Sequence, residues 1–165
     1  MPVLVAEVPF ECGADPSGPR RELPRGKGLT YHCDRMNTAF GYVLVFLGGG
    51  LGAAARHWVN RAALNAVGPD YPAGTMIVNI VGSLAMGMLV SWFAFRGETT
   101  TAAERLFLTT GVLGGFTTFS AFALDTRLMW ERHDIVAALT YAGGSVVLSV
   151  LALIVGMFIV RIPLS

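Results

Sequence analysis

The chain has 165 residues, of which 53% are hydrophobic and 14% charged, with a formal net charge of +1 and a mean hydropathy of +0.57. The apolar residues occur in long blocks, which excludes an ordinary soluble domain of this size and is typical of an integral membrane protein. The charge balance excludes a strongly basic nucleic-acid binder, so we expect no nucleic-acid partner and a lipid bilayer as the surroundings.

Residues 1–35 differ in composition from the rest of the chain. They contain five prolines and a cluster of basic residues, and they have too little apolar surface to form a core. Met36 stands immediately before the first apolar segment. We therefore interpret residues 1–35 as a disordered N-terminal extension that arises from an upstream start site, and residues 36–165 as the single membrane domain.

Four hydrophobic segments follow, each close to the roughly 20 residues that a membrane-spanning helix needs. They cover approximately residues 39–59, 73–95, 104–126 and 135–160. The connections between them are short and contain proline, glycine or charged residues. The sequence therefore predicts an all-α integral membrane protein with four transmembrane helices.

The first segment combines small residues with a cation. Gly48 and Gly52 are four residues apart and share a helix face with Arg56. Small residues at this spacing allow two membrane helices to approach closely. Arg56 lies near the predicted helix end, where it is either an interfacial anchor or a positive mouth that attracts an anion. The residues alone leave both roles open.

The second segment has hydrogen-bonding side chains along one face. Thr75, Asn79 and Ser83 follow each other at intervals of four residues. An amide at membrane depth needs partners, so Asn79 either joins helices together or contacts a polar substrate. The pattern favours the first role unless other residues point to a substrate.

The third segment is interrupted at its centre by the sequence GGFTT at residues 114–118. In lipid, irregular backbone is tolerated only where it is buried in protein, binds an ion or lines a cavity. We therefore predict a break in the third helix whose backbone groups face a small ion. Phe119 and Phe122 follow the break, and their positive ring edges suit a small anion, although packing is the commoner role of a phenyl pair.

The fourth segment repeats the pattern of the second with Tyr141, Ser145 and Ser149, again at intervals of four residues. A serine on a membrane helix most often bonds to its own backbone, so one such stripe proves little. Two stripes on facing helices, next to a broken third helix, indicate a narrow track lined by neutral donors.

The arginines give almost no orientation signal. Counted from Met36, three lie on the side of the N-terminus and four on the other side, whereas a strong excess on one side normally fixes orientation. This balance favours insertion in both orientations and an antiparallel homodimer. A unique orientation with few loop charges is the alternative, and the cations of residues 1–35 would change the count to eight against four.

Only two acidic residues occur within the four predicted segments, Glu104 at the start of the third and Asp125 near its end. This argues against proton-coupled transport and against intramembrane hydrolysis, which need titratable or paired groups at depth. A four-helix drug/proton antiporter normally has a carboxylate in its first helix, and residues 39–59 contain none. A non-transporting membrane interaction protein would explain the glycine spacing but would not need Asn79, the break and two polar stripes together.

Three stretches resemble the signature sequences of the CrcB/Fluc fluoride channel family. They are GGLGAAAR at residues 49–56, GTMIVNIVGS at 74–83 and GGFTTFSAF at 114–122. The resemblance covers all four segments, in order and with matching spacing, whereas residues 1–35 have no counterpart.

The resemblance implies a passive, fluoride-selective channel in the cell's inner membrane that exports cytoplasmic fluoride and is not an enzyme. The subunit is expected to form a dual-topology, antiparallel homodimer with two parallel pores. A structural sodium ion is expected at the dimer centre, bound by the carbonyl oxygens of Gly114 and Thr117 of both subunits.

The same resemblance assigns roles in the pore. Phe119 and Phe122 match the phenyl residues whose ring edges contact fluoride, Asn79 matches the pore asparagine, and Arg56 matches the vestibule arginine. The remaining polar-track or pore-flanking positions are Thr118, Ser120, Tyr141, Ser145 and Ser149.

Two positions differ from the family's usual pattern. Ala121 replaces a frequent threonine or serine and removes one hydroxyl group. Asp125 replaces a frequent glutamate with a shorter carboxylate. A polar track that passes position 121 would therefore lack a hydroxyl group there. The carboxylate of Asp125 extends less far from its helix than that of a glutamate.

Overall fold

The computed structural model describes residues 38–96 and 100–161, and these two ranges are α-helical or π-helical with short connections and no β-strand. Residues 1–35, which we interpret as an N-terminal extension, and the connection at Gly97 lie outside the described residues. Within them, four helical stretches are long and apolar enough to cross a membrane. They are Thr38–Val67, Ala73–Phe95, Ala102–Glu131 and Ile135–Arg161. The prediction of an all-helical membrane protein with four spans is confirmed at this level.

Helix α1 covers Thr38–Val67. The apolar pattern predicted a helix that ends near residue 59, so the observed helix is about two turns longer. The polar residues around Arg56 lower the hydropathy without breaking the helix, and the alanine-rich stretch that follows favours helical backbone. Gly68 then ends the helix in the left-handed region, at φ 92°, and its N–H donates to the carbonyl of Leu64 at 3.0 Å.

Helices α2, Ala73–Arg96, and α6, Ile135–Arg161, form the most extensive helix pair of the fold. Gly87 packs directly against the backbone of Leu153, and Gly156 packs in the same way against Leu84. Ser91 is buried between the two helices and donates to the carbonyl of Met157 at 3.1 Å. Small residues on both helices therefore allow close backbone contact, which drives helix association in a membrane.

The third span consists of several short elements. Helix α3, Ala102–Arg105, begins with a capping box in which Thr101 and Glu104 satisfy each other's backbone N–H groups. A π-helix follows over Leu106–Leu113, then α4, Gly114–Phe116, and α5, Phe119–Glu131. The sequence pattern did not predict the π-helix, which has one more residue in each hydrogen-bonded turn and is rare outside functional sites.

The glycines of α1 pack against this third span. A Cβ atom at Gly48 would lie 2.9 Å from the Cα of Gly111, and a Cβ atom at Gly52 would collide with the carbonyl oxygen of Val112. Gly115 approaches the backbone of Gly49 equally closely. The small residues of the first helix therefore join two helices of one chain and bring the centre of the third span next to α1.

The close contact of Gly52 predicts a loss of stability on substitution. Gly52→Ala places a methyl group against the Val112 carbonyl, and overpacking of this kind costs about 1–3 kcal/mol. We expect a lower midpoint of thermal unfolding in detergent than for the wild type. Gly50→Ala is the matched control, since among the described residues no atom other than those of the adjoining turns of α1 lies within 4 Å of a Cβ at that position. Equal losses in both variants would contradict the packing explanation.

Candidate functional site

Thr117 and Thr118 interrupt helical geometry between α4 and α5. Thr117 has φ −80° and ψ 159°, and Thr118 has φ −155° and ψ 119°, so both residues have extended backbone. The α-helical hydrogen bonding of α4 extends to Thr117, whose N–H still donates to the carbonyl of Leu113 at 3.0 Å. The N–H of Thr118 must therefore find a partner outside its own helix, whereas its carbonyl, at the N-cap of α5, is placed to accept the first hydrogen bond of that helix.

Asn79 of α2 binds both backbone groups of Thr118. The Oδ1 atom of Asn79 accepts from the N–H of Thr118 at 2.9 Å, and the Nδ2 atom donates to the carbonyl of Thr118 at 3.0 Å. The side-chain amide thus pairs with the backbone as a neighbouring peptide group would. The sequence left two roles open for Asn79. In the structure its side chain joins α2 to the third span.

The side chains of the two threonines are also engaged. The Thr118 hydroxyl oxygen caps α5 by accepting from the N–H of Ala121 at 3.2 Å, and it lies 3.2 Å from the hydroxyl oxygen of Ser120. The Thr117 hydroxyl donates to the carbonyl of Leu113 at 3.0 Å. Ala121, which lacks the hydroxyl frequent at its position, takes part through its backbone.

A cavity of about 350 Å³ lies beside this interruption, between α2, α5 and α6. It contains six of the predicted pore residues, namely Asn79, Thr118, Phe119, Phe122, Ser145 and Ser149. Thr117 and Ser83 also line it, together with apolar residues such as Met86 and Leu153. The two predicted polar stripes therefore meet at one cavity, whose wall is mostly apolar with a few hydroxyl and amide groups.

Ser145 provides an unused polar group in this wall. The residue is only 3% exposed, and its hydroxyl oxygen has no hydrogen-bond partner among the described residues. An unpaired buried hydroxyl is costly unless something else satisfies it, such as water or a polar ligand. The cavity therefore has an available hydrogen-bond donor opposite Asn79.

Aromatic rings form a row from the cavity towards the end of α2 near residue 75. The centroids of Phe119 and Phe122 are 5.5 Å apart, and those of Phe122 and Tyr141 are 5.6 Å apart. Tyr71 contacts Tyr141 edge to face at 5.8 Å. Phe119, at the other end of the row, is 77% exposed in the single chain.

Some predicted residues do not line the cavity. Tyr141 is fully buried behind Phe122, and its hydroxyl donates to the carboxylate of Asp125 at 3.3 Å, so the shorter acid still reaches it. Ser120 and Gly114 are exposed on the surface of the single chain. Arg56 is half-buried on the α1 side, with its Nη1 atom 3.5 Å from the carbonyl oxygen of Thr117.

A second cavity, of about 220 Å³, lies at the connection between α1 and α2 and was not predicted. Its lining includes Asn60, Thr75, Tyr71 and Asp125. The Oδ1 atom of Asn60 is buried without a hydrogen-bond partner in the described part of the chain. The signal available in the sequence was Asn60 itself, one helical turn after Arg56 on the same face.

The fold and the first cavity together define a multi-pass membrane protein with a partly polar cavity beside an interrupted helix. A family model described as "CrcB-like protein, Camphor Resistance (CrcB)" matches residues 43–157. This range extends from within the first span to within the fourth. The chain belongs to the CrcB family.

Individual relatives agree with this assignment. The chain is 53% identical over 122 residues to a Nitrobacter hamburgensis protein named "Fluoride-specific ion channel FluC 2". The matched region covers 73% of this chain and 96% of the relative. The chain is 59% identical over 104 residues to "Fluoride-specific ion channel FluC" of Methylobacterium nodulans, over 63% of this chain and 82% of the relative. A protein of the same name from Paracoccus denitrificans is 53% identical over 120 residues, covering 73% and 94% of the two chains.

The unpaired hydroxyl of Ser145 predicts an unusual response to truncation. Ser145→Ala removes no protein hydrogen bond, so we expect thermal stability in fluoride-free detergent solution to stay the same or rise. Ser91→Ala is the matched comparison, because that buried hydroxyl bonds to the carbonyl of Met157 and its loss costs about 0.5–1.5 kcal/mol. A destabilised Ser145→Ala protein would show that the hydroxyl already has a partner.

Proposed function

We propose that this chain is a fluoride-selective ion channel through which cytoplasmic fluoride leaves the cell passively, reducing fluoride toxicity, with no enzymatic activity. The cavity of Asn79, Ser145 and the two phenyl rings is the observation on which the proposal mainly depends. The names of the relatives, which designate fluoride-specific channels, support the choice of ion.

The chemistry of the cavity suits a small, strongly hydrated anion. A selective path must replace the water around fluoride with short hydrogen bonds, whereas a wide basic pore would also pass larger anions. The cavity offers the neutral hydroxyl donors Ser145, Ser149 and Thr118. The ring edges of Phe119 and Phe122 add weak positive potential without a buried cation. This arrangement favours selectivity by close contact with little fixed charge.

The residues outside the cavity are assigned to the approaches. Arg56, half-buried beside the interruption, provides positive potential in the vestibule. Tyr141 continues the aromatic row behind Phe122, and Ser120 flanks Thr118 at the start of α5. We propose that fluoride passes from the vestibule, along the cavity, towards Tyr141.

We propose that the functional unit is an antiparallel homodimer of dual topology in the inner membrane. Two exposed groups support this assembly. Phe119 lies beside the cavity and yet is 77% exposed, and Gly114 presents its backbone on the surface of the single chain. A second copy over this surface would cover both groups and complete an open cavity wall. The nearly equal arginine counts on the two sides allow both orientations.

The proposed sodium ion fits the backbone at the interruption. In a continuous α-helix the N–H of Thr118 would donate to the carbonyl of Gly114, but here it donates to Asn79, so this carbonyl lacks its usual helical partner. The carbonyl of Thr117 lies in extended backbone, and its second lone pair is available beside the 3.5 Å contact with Arg56.

Neutral oxygen atoms are suitable ligands for a hard cation, and such an ion gathers several of them. Gly114 and Thr117 supply two from each chain, so the same pair from a second copy would complete the set. A bound sodium ion would supply a fixed positive charge, which lowers the cost of holding an anion in a low dielectric.

Ion efflux from liposomes tests the proposed function. Vesicles containing the purified protein are loaded with fluoride or chloride, and an ionophore prevents the build-up of a membrane potential. We expect rapid fluoride release with chloride retained. Phe119→Ile should slow fluoride release about tenfold or more, which corresponds to ~1.4 kcal/mol of lost stabilisation at the ring. Phe158→Ile, which changes an exposed ring of α6 away from the cavity, is the control. Retention of both ions by a folded wild-type dimer would refute the channel assignment.

The sodium assignment gives a separate prediction. Thr117→Ala should keep the dependence of thermal stability on sodium, because the proposed ligand is the backbone carbonyl and the hydroxyl is bonded to Leu113. Melting temperatures measured over a sodium titration, with an organic cation replacing sodium, provide the comparison. Loss of the sodium effect in this variant would identify the hydroxyl as the ligand.

A further inference from the structure

We propose that Asn79 acts on the ion site through the backbone of Thr118: by holding the Thr118 peptide group, it releases the Gly114 carbonyl for the cation. Asn79 is then a positioning residue first and a contact for the anion second. The inference rests on the proposed function above for the identity of the two ions, and it assigns Asn79 a role in the cation site as well as in the anion path.

The first step of the argument is the hydrogen bonding of Asn79. Its acceptor and one of its two amide donors are used by the N–H and the carbonyl of Thr118, at 2.9 and 3.0 Å. A primary amide has two N–H donors, so at most one remains for the cavity. Asn79 therefore makes two bonds to the backbone and has no more than one to offer to an ion.

The second step is the change that these bonds cause in the third span. The N–H of Thr117 still donates to Leu113, whereas the N–H of Thr118, one residue later, leaves the helix for Asn79. Without the Asn79 side chain, the nearest way to satisfy this N–H is to continue the helix and bond to Gly114. That bond would occupy one of the carbonyls proposed to bind the cation.

The third step is the fit between α2 and the extended residues. Gly82, three residues after Asn79 on the same helix face, lies against the side-chain methyl group of Thr117. A Cβ atom at Gly82 would collide with this methyl group, so glycine at this position lets Thr117 lie close to α2 without displacement of its side chain. Asn79 and Gly82 thus hold two consecutive residues, Thr118 and Thr117.

The first test removes the side-chain amide with Asn79→Leu and measures two properties other than ion flux. Hydrogen exchange of the peptide containing Thr118 should change, because its N–H can no longer donate to Asn79. The sodium concentration needed for thermal stabilisation should rise about 10–100-fold, the usual effect of removing a group that orients a metal ligand. Ser91→Ala is the control, since this α2 side chain also bonds to a carbonyl of another helix, but away from the interruption.

The second test leaves Asn79 intact and is independent of whether Asn79→Leu folds. Gly82→Ala should push Thr117 away from α2 and weaken sodium stabilisation in the same way. Gly82→Ala combined with Thr117→Ser should restore it, because serine lacks the colliding methyl group and keeps the hydroxyl that bonds to Leu113. Recovery in the double variant would support positioning through the backbone.

The proposal is overturned if Asn79→Leu loses fluoride efflux while Thr118 exchange and sodium stabilisation stay at wild-type values, because Asn79 would then act on the anion directly. It is also overturned if Gly82→Ala has no effect on sodium stabilisation. Failure of the proposed function would appear differently, as absence of fluoride efflux from wild-type liposomes, and neither the exchange nor the sodium titration depends on that measurement.

Discussion

Satisfaction of the Thr118 backbone is the constraint on which the rest of this structure depends. In a membrane an unpaired N–H or carbonyl costs several kcal/mol, so a helix can be interrupted only where another element replaces its hydrogen bonds. Here one asparagine side chain accepts from the Thr118 N–H at 2.9 Å, in place of the missing helical bond, and donates to the Thr118 carbonyl at 3.0 Å. The cavity lies beside this pairing, and Phe119 begins the helix that follows it, so the position of the aromatic row depends on the same contact.

Close backbone contacts bring the elements near enough for this pairing. Between membrane helices the hydrophobic effect provides little driving force, and small residues compensate by increasing direct packing. Gly48 and Gly52 join α1 to the third span, while Gly87 and Gly156 join α2 to α6. The third span is thereby held between α1 on one side and α2 on the other. A larger side chain at these positions would separate the helices that each glycine joins.

The cavity has the properties of a path for a small anion because its polar groups are neutral donors. Burying a cation in the wall would bind an anion strongly and discriminate poorly, whereas hydroxyl groups and ring edges require close approach. Asp125 accepts a hydrogen bond from Tyr141, a member of the row of rings, and does not line the cavity. Positive potential is placed at the approaches, at Arg56 and at the proposed cation.

The sequence by itself determined the four membrane spans and the polar stripes of α2 and α6, because hydropathy and helical periodicity are local properties. It could not determine that α1 continues to Val67, since composition near Arg56 hides a continuous helix, nor that a π-helix precedes Gly114. The helix-joining role of Asn79 likewise depends on tertiary structure. Its partner Thr118 lies 39 residues away, and only the packing of α2 against the third span brings the two together. The burial of Tyr141 behind Phe122 was decided in the same way, because the depth of a side chain depends on its neighbours from other helices.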